Sequence, residues 1–243
     1  MDFMLIIVIA SIIVLLNYIL KGMTGFGAGS LRNALLLLFL DVKLVIPLGV
    51  LFTLLANILL SIKTYKKANK KIVTFLIIGM PIGTIFGTYF LSVLDSNLLK
   101  ILFGLFIILI AIKSLMKISL IKIRFTKLKT IIVGFIGSFL GSIFGSGGGL
   151  IHIAYFQEII QDKSVFRSTI ALSFMIGIIF RIIGYGIAGL FNSTVIIYFR
   201  YLIPATIVGI LIGDKLHLKV NQKFFNKIVS SLLFILGIYL ILT

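Results

Sequence analysis

Runs of about twenty apolar residues recur along the whole chain, the length that crosses the hydrocarbon core of a bilayer as a helix. No polar stretch between them is long enough for a separate soluble domain. Of 243 residues 60% are hydrophobic and 12% charged, and the mean hydropathy is +1.27, so too little polar surface exists to clothe a soluble globule. The expectation is an all-α polytopic membrane protein, multi-pass in the cell membrane, with residues 1–243 forming one membrane domain. The first run, Phe3–Leu20, lacks a basic leading segment and a small-residue cleavage site, and reads as a retained membrane helix.

Two glycine clusters interrupt these runs, Gly25-Phe26-Gly27-Ala28-Gly29 and Gly145-Ser146-Gly147-Gly148-Gly149. Glycine costs a helix about 1 kcal/mol per residue relative to alanine, and broken backbone at membrane depth is tolerated only inside protein or beside a wet cavity. A straight helix from Phe3 to Leu40 would run about 57 Å against a core of about 30 Å, so the chain has to break or fold back. The short second pieces, residues 28–40 and 149–160, suit re-entrant or half-spanning helices. Conventional counting gives eight spans; counting both pieces of each broken helix gives ten. A matched pair of breaks is the layout of a transporter built from two repeats, about 1–120 and 127–243, facing one midplane site.

Further marks echo across the halves. Gly83-Thr84-Ile85-Phe86-Gly87 answers Gly209-Ile210-Leu211-Ile212-Gly213, each after a proline in the same helix, Pro81 and Pro204. This small-xxx-small spacing reads first as close helix packing. The net charge of +17 collects in short loops, as the positive-inside bias predicts, and excludes a nucleic-acid reading. Lys63–Lys71 and Lys117–Lys129 fall on the cytoplasmic side. Lys215–Lys227 joins them only if each broken element crosses twice, which makes the repeats inverted.

Ionisable groups at membrane depth are expensive, so each is a site candidate. Arg181 lies inside an apolar span. Arg32 and His152 each fall three residues after a cluster, at Gly29 and Gly149, one turn into a short helix whose N-terminal N–H groups would favour an anion. The expected substrate-binding set is Gly25, Gly27, Gly29, Arg32, Gly147, Gly148, Gly149, His152 and Arg181. Asn57, Ser146, Thr24 and Tyr185 are candidate neutral donors or helix bridges, and Lys21 a snorkelling head group. Glu158, Asp162 and Asp41 read as interface residues. No carboxylate sits deep in a span, so the membrane potential, Na⁺ or H⁺ remain the open sources of drive.

Catalysis finds no footing. The chain has no Cys, HExxH or Walker A pattern, and no intramembrane Asp stands ready to orient His152 behind a Gly145-Ser146-Gly147 nucleophile. No metal or cofactor is expected. Homo-oligomerisation stays open, as does the rival class of a non-transporting scaffold or assembly factor.

At Lys21-Gly22-Met23-Thr24-Gly25-Phe26-Gly27-Ala28-Gly29, at Gly141-Ser142-Ile143-Phe144-Gly145-Ser146-Gly147-Gly148-Gly149 and at Arg181-Ile182-Ile183-Gly184-Tyr185-Gly186 the chain resembles the TauE/SafE family of sulfite-exporter-like membrane permeases. The resemblance extends over nearly the full chain. It implies a permease for small sulfur-containing or organic anions, such as sulfite or a sulfonate. Family members often carry proline soon after the glycines; Arg32-Asn33 and His152-Ile153 do not supply it.

Overall fold

The computed structural model describes residues 2–24, 28–61, 67–116, 125–216 and 222–243. Ten helices run in the order α1 (Phe3–Thr24), α2 (Ala28–Leu36), α3 (Val42–Ser61), α4 (Lys70–Val93), α5 (Ser96–Leu115), α6 (Lys127–Phe144), α7 (Gly148–Ile159), α8 (Lys163–Ile187), α9 (Ser193–Leu216) and α10 (Gln222–Leu242). No strand occurs among the described residues. α1, α3, α4, α5, α6, α8 and α9 are long and apolar enough to cross a membrane. The 21 residues of α10 reach about 31 Å, also a spanning length, whereas the 9 of α2 and 12 of α7 do not. The two short helices are the second pieces expected after the glycine clusters.

Polar side chains start the helices where water can still reach them. Asp95 accepts from the Asn97 amide at 2.8 Å to open α5, and Thr126 from Lys129 at 3.3 Å to open α6. Asp162 takes the Ser164 and Val165 amides at the start of α8, and Asn192 takes Val195 at the start of α9. Asp41 does the same before α3 through the Lys43 amide at 2.7 Å. The end of α6 is a backbone device. Gly145 takes a left-handed φ of 66° and Gly147 a φ of 82°, both favouring glycine, and the chain reverses into α7. The corresponding turn after α1, with Gly25 and Gly27, lies outside the described residues. So do Lys63, Lys66, Lys117, Lys122, Arg124 and Lys219, on which the loop-charge argument leans.

The chain divides into two compact units. The first holds Met1–Phe52, Leu94–Ile118 and Phe191–Thr243; the second holds Thr53–Val93 and Ser119–Leu190. Each draws helices from both halves of the sequence. In the first unit α9 packs along α1 and α10 along α5. A Cβ on Gly209 would meet the Leu15 carbonyl at 2.7 Å and the Tyr18 Cβ at 2.9 Å, and one on Gly213 would strike the Ile19 backbone. Glycine is required there so that two helices can touch backbone to backbone.

In the second unit α4 packs along α6, and α7 and α8 complete it. Gly79, Gly83 and Gly87, four residues apart on one face of α4, lie against the backbone at Ile131, Phe135 and Phe139 of α6. Both glycine pairs singled out in the sequence are therefore packing surfaces. Ile72, Leu76, Met80, Tyr155, Phe156 and Ile160 form an apolar core around this seam. Large apolar side chains on the outward faces, among them Ile85, Leu109 and Leu211, are exposed, as lipid-facing positions of spanning helices are.

Candidate functional site

In the first unit the short helix α2 buries Arg32, which is 1% exposed. All three guanidinium nitrogens donate. Nη1 reaches the Tyr18 hydroxyl at 2.6 Å, while Nε and Nη2 share Asn33 Oδ1 at 3.1 and 2.7 Å. The guanidinium also lies 5.8 Å from the Tyr18 ring centre and 5.9 Å from that of Phe52, a cation–π environment. A Cβ on Gly49 of α3 would strike Nη2, so a glycine makes the space the arginine fills. Lys21 lies 5.6 Å above the same Tyr18 ring. Gly29 is partly buried beside this cage.

The second unit places the other break. α6 and α7 form a tight hairpin: a Cβ on Gly148 would strike the Gly137 carbonyl, with the Gly141 amide nitrogen at 2.6 Å. Gly148 is thus a contact of backbone on backbone, and a Cβ on Gly149 would come within 2.6 Å of the Phe174 ring. His152 packs its imidazole against Gly137 and between the rings of Phe156 and Phe174, with centroids at 6.1 and 6.4 Å. It is buried, and the Val133 carbonyl approaches it without reaching hydrogen-bond geometry. Neither ring nitrogen has a hydrogen-bond partner among the described residues.

Arg181 of α8 comes within electrostatic reach of His152. Its Nε donates to the Gly177 carbonyl at 3.1 Å and its Nη1 to the Gly141 carbonyl at 3.2 Å. A Cβ on Gly141 would lie 3.5 Å from Nη1, an ordinary contact. Among the described residues Nη2 donates to nothing, and no carboxylate pairs with the charge. Glu158 and Asp162, the acids of this unit, are both exposed, in keeping with interface positions. One turn further along α8, the Tyr185 hydroxyl donates to the Ser142 carbonyl.

Of the glycines expected at the site, Gly147 serves the reversal and Gly148 the hairpin contact. His152 and Arg181 are brought into one unit, and Arg32 stands in the other with its own partners. The sequence reading passed over three more polar groups of the second unit. Thr84 and Thr88 on α4 and Ser142 on α6 are all buried, and their hydroxyls have no partner among the described residues. Inside apolar helices they look like ordinary back-bonded residues, and nothing in the string of letters distinguishes them. Among the described residues no group of His and acidic side chains could hold a metal ion.

The family model for the sulfite exporter TauE/SafE matches residues 9–240. The chain belongs to the TauE/SafE family. A relative named a probable membrane transporter protein in Methanocaldococcus jannaschii is 30% identical over 266 residues, covering 99% of this chain and 97% of its own. A second, also named a probable membrane transporter protein, in Bacillus subtilis, is 25% identical over 235 residues, covering 84% and 83%. No solved structure matches the chain. With this family membership and its spanning helices, the protein is a multi-pass membrane transporter.

Proposed function

We propose that this TauE/SafE protein is a permease for a small anion, sulfite or a sulfonate in preference to a metabolite of other charge, and that it has no enzymatic activity. The observation that carries the reading is Arg181, a guanidinium inside a spanning helix with no carboxylate partner and an undonated Nη2. A partly buried cation inside a spanning helix is costly unless something negative joins it, and an anionic substrate is the economical answer. His152, with two unsatisfied ring nitrogens, adds donor capacity beside it. The reading takes the chain as one membrane domain of two inverted repeats. Its support is the aspartate caps at matched places, Asp41 and Asp162, and the glycine pairs of α4 and α9, each seated on the first helix of the other half. With both acids of the second unit exposed, that unit offers no carboxylate proton relay. For an exported anion the membrane potential itself supplies about 2.3 kcal/mol per charge per 100 mV.

The test is sulfite affinity of purified protein in detergent, with flux in liposomes as the companion measurement. Arg181→Gln should weaken binding about thirtyfold or more, since a desolvated charge partner is commonly worth about 2–5 kcal/mol. Arg181→Lys should recover only part of that, because lysine lacks the planar fork that matches an oxyanion. Lys129→Gln, at an exposed position, should change little. Unchanged affinity in a folded Arg181→Gln protein removes Arg181 from the site and leaves it as a tie between α6 and α8.

A further inference from the structure

Four buried helical hydroxyls satisfy themselves: Thr130, Thr169, Ser173 and Thr206 each donate to the carbonyl four residues earlier, at 2.9, 2.7, 2.7 and 3.1 Å. Thr84, Thr88 and Ser142 do not. They are 2%, 5% and 0% exposed, yet their hydroxyls take no partner among the described residues. A buried hydroxyl left unpaired destabilises a fold, so three together call for something that pairs with them.

Their placement says what. Thr84 and Thr88 lie one turn apart on α4 and both face Gly184 of α8, where a Cβ would meet Thr88 Oγ1 at 3.1 Å and Thr84 Cγ2 at 3.2 Å. Ser142 of α6 faces α4 beside them, its Cβ 2.8 Å from where a side chain on Gly87 would begin. On α8, Arg181, Gly184 and Tyr185 share one face at spacings of three and four. Tyr185 ties that face to the Ser142 carbonyl. The threonines therefore face α8 one helical turn beyond Arg181, and Ser142 follows Gly141, whose carbonyl Nη1 of Arg181 reaches. A hydroxyl can donate to an anion or accept from a cation. The fixed positive charge of Arg181, with no acid beside it, selects the anion.

We propose that Thr84, Thr88 and Ser142 are the neutral donors of the anion site whose charge is Arg181, and that they favour an oxyanion with three oxygens on one centre over a carboxylate. This rests on the permease reading above. A carboxylate presents two oxygens in one plane. The donors arrive from α4, α6 and α8, and only a pyramidal or tetrahedral centre offers an oxygen toward each. In the anion-free protein unpaired hydroxyls cost stability, which separates their role from packing.

The experiment compares wild type, Thr84→Val/Thr88→Val, Ser142→Ala, Thr84→Ser/Thr88→Ser and Arg181→Gln. It measures sulfite and acetate affinity by calorimetry in detergent, and the thermal midpoint without anion. The double valine protein should bind sulfite about tenfold or more weakly, as expected for lost hydrogen bonds to a charged group, with a smaller loss for acetate. Its anion-free midpoint should hold or rise, because an isosteric methyl replaces an unpaired hydroxyl. The double serine protein should keep its sulfite affinity. Ser142→Ala gives the same reading at a second helix, should the valine pair fail to fold. Unchanged sulfite affinity with a lowered midpoint overturns the proposal and makes the hydroxyls part of the packing. If Arg181→Gln loses sulfite while the hydroxyl variants keep it, this inference falls and the permease reading stands. If wild type binds neither anion, the permease reading falls and takes the inference with it.

Discussion

Three residues beyond each glycine cluster stands a basic side chain, Arg32 in one unit and His152 in the other, and the two could hardly be treated more differently. Arg32 is partnered at all three nitrogens: Tyr18 and Asn33 accept from them, and two rings lie against the guanidinium. His152 is buried with both nitrogens idle, near an Arg181 that still has a nitrogen to give. Counted 120 residues on, Tyr18 and Asn33 become Ser138 and Ile153, and isoleucine offers no acceptor. Matched places in a repeat thus do not share a job. What decides is whether the neighbours leave hydrogen-bonding capacity over. The first unit spends its arginine on holding α1, α2 and α3 together, and the second keeps its polar groups receptive.

The sharpest way to break this contrast is Arg32→Gln. It should destabilise the protein by about 3 kcal/mol or more, because a buried charge-assisted network is lost. The measurements are the thermal midpoint and the yield of extractable protein, and Arg181→Gln should leave both nearly unchanged. A folded Arg32→Gln protein that loses sulfite affinity instead would make the two units alike and end the comparison.

The hairpin of the second unit can be tested next. Gly148→Ala drives a methyl into the α6 backbone and should cost about 1–3 kcal/mol as overpacking, lowering the midpoint before transport is considered. Gly186→Ala, with nothing within 4 Å of its Cβ, should instead gain up to about 1 kcal/mol from a stiffer unfolded chain. Equal effects at the two glycines would mean that the hairpin is looser than its geometry.

The smallest effect is expected where the units agree. Asp162→Ala and Asp41→Ala each remove a cap and should lower the midpoint slightly and similarly. The Ser164 hydroxyl, followed by the Val165 and Ser164 amides, holds the Asp162 carboxyl below the ordinary aspartate range. Its contribution is therefore complete above the ordinary aspartate pKa and fades as pH falls through the lowered value. A midpoint difference between wild type and Asp162→Ala that persists at a pH below that value would show the cap acting by something other than its charge.

Much of the architecture was legible in the sequence because membrane helices obey a blunt rule. Apolar length sets the span, and glycine inside it marks a break or a close approach; Gly145, Gly147, Gly83 and Gly209 each did one of these. Which helix each would touch was not legible. The face Gly79-Gly83-Gly87 fits any helix with a bare backbone stripe, and only three dimensions show it choosing α6. The site was half legible. Arg181 announced itself by cost, and Thr84, Thr88 and Ser142 stayed silent because hydroxyls in helices ordinarily satisfy themselves. Arg32 gave no sign of its partner Tyr18, which lies 14 residues away on another helix.

The exchange of helices between halves also sets an order of birth. A ribosome making this chain has every helix of the second unit, down to Leu190, in hand while α9 and α10 are still unwritten. α1 emerges first and its long partner nearly last, a wait of roughly ten to thirty seconds at ordinary elongation rates. Through that interval the face of α1 that receives Gly209 and Gly213 stands in the bilayer without its mate. The oldest helix of the chain is among the last to be seated.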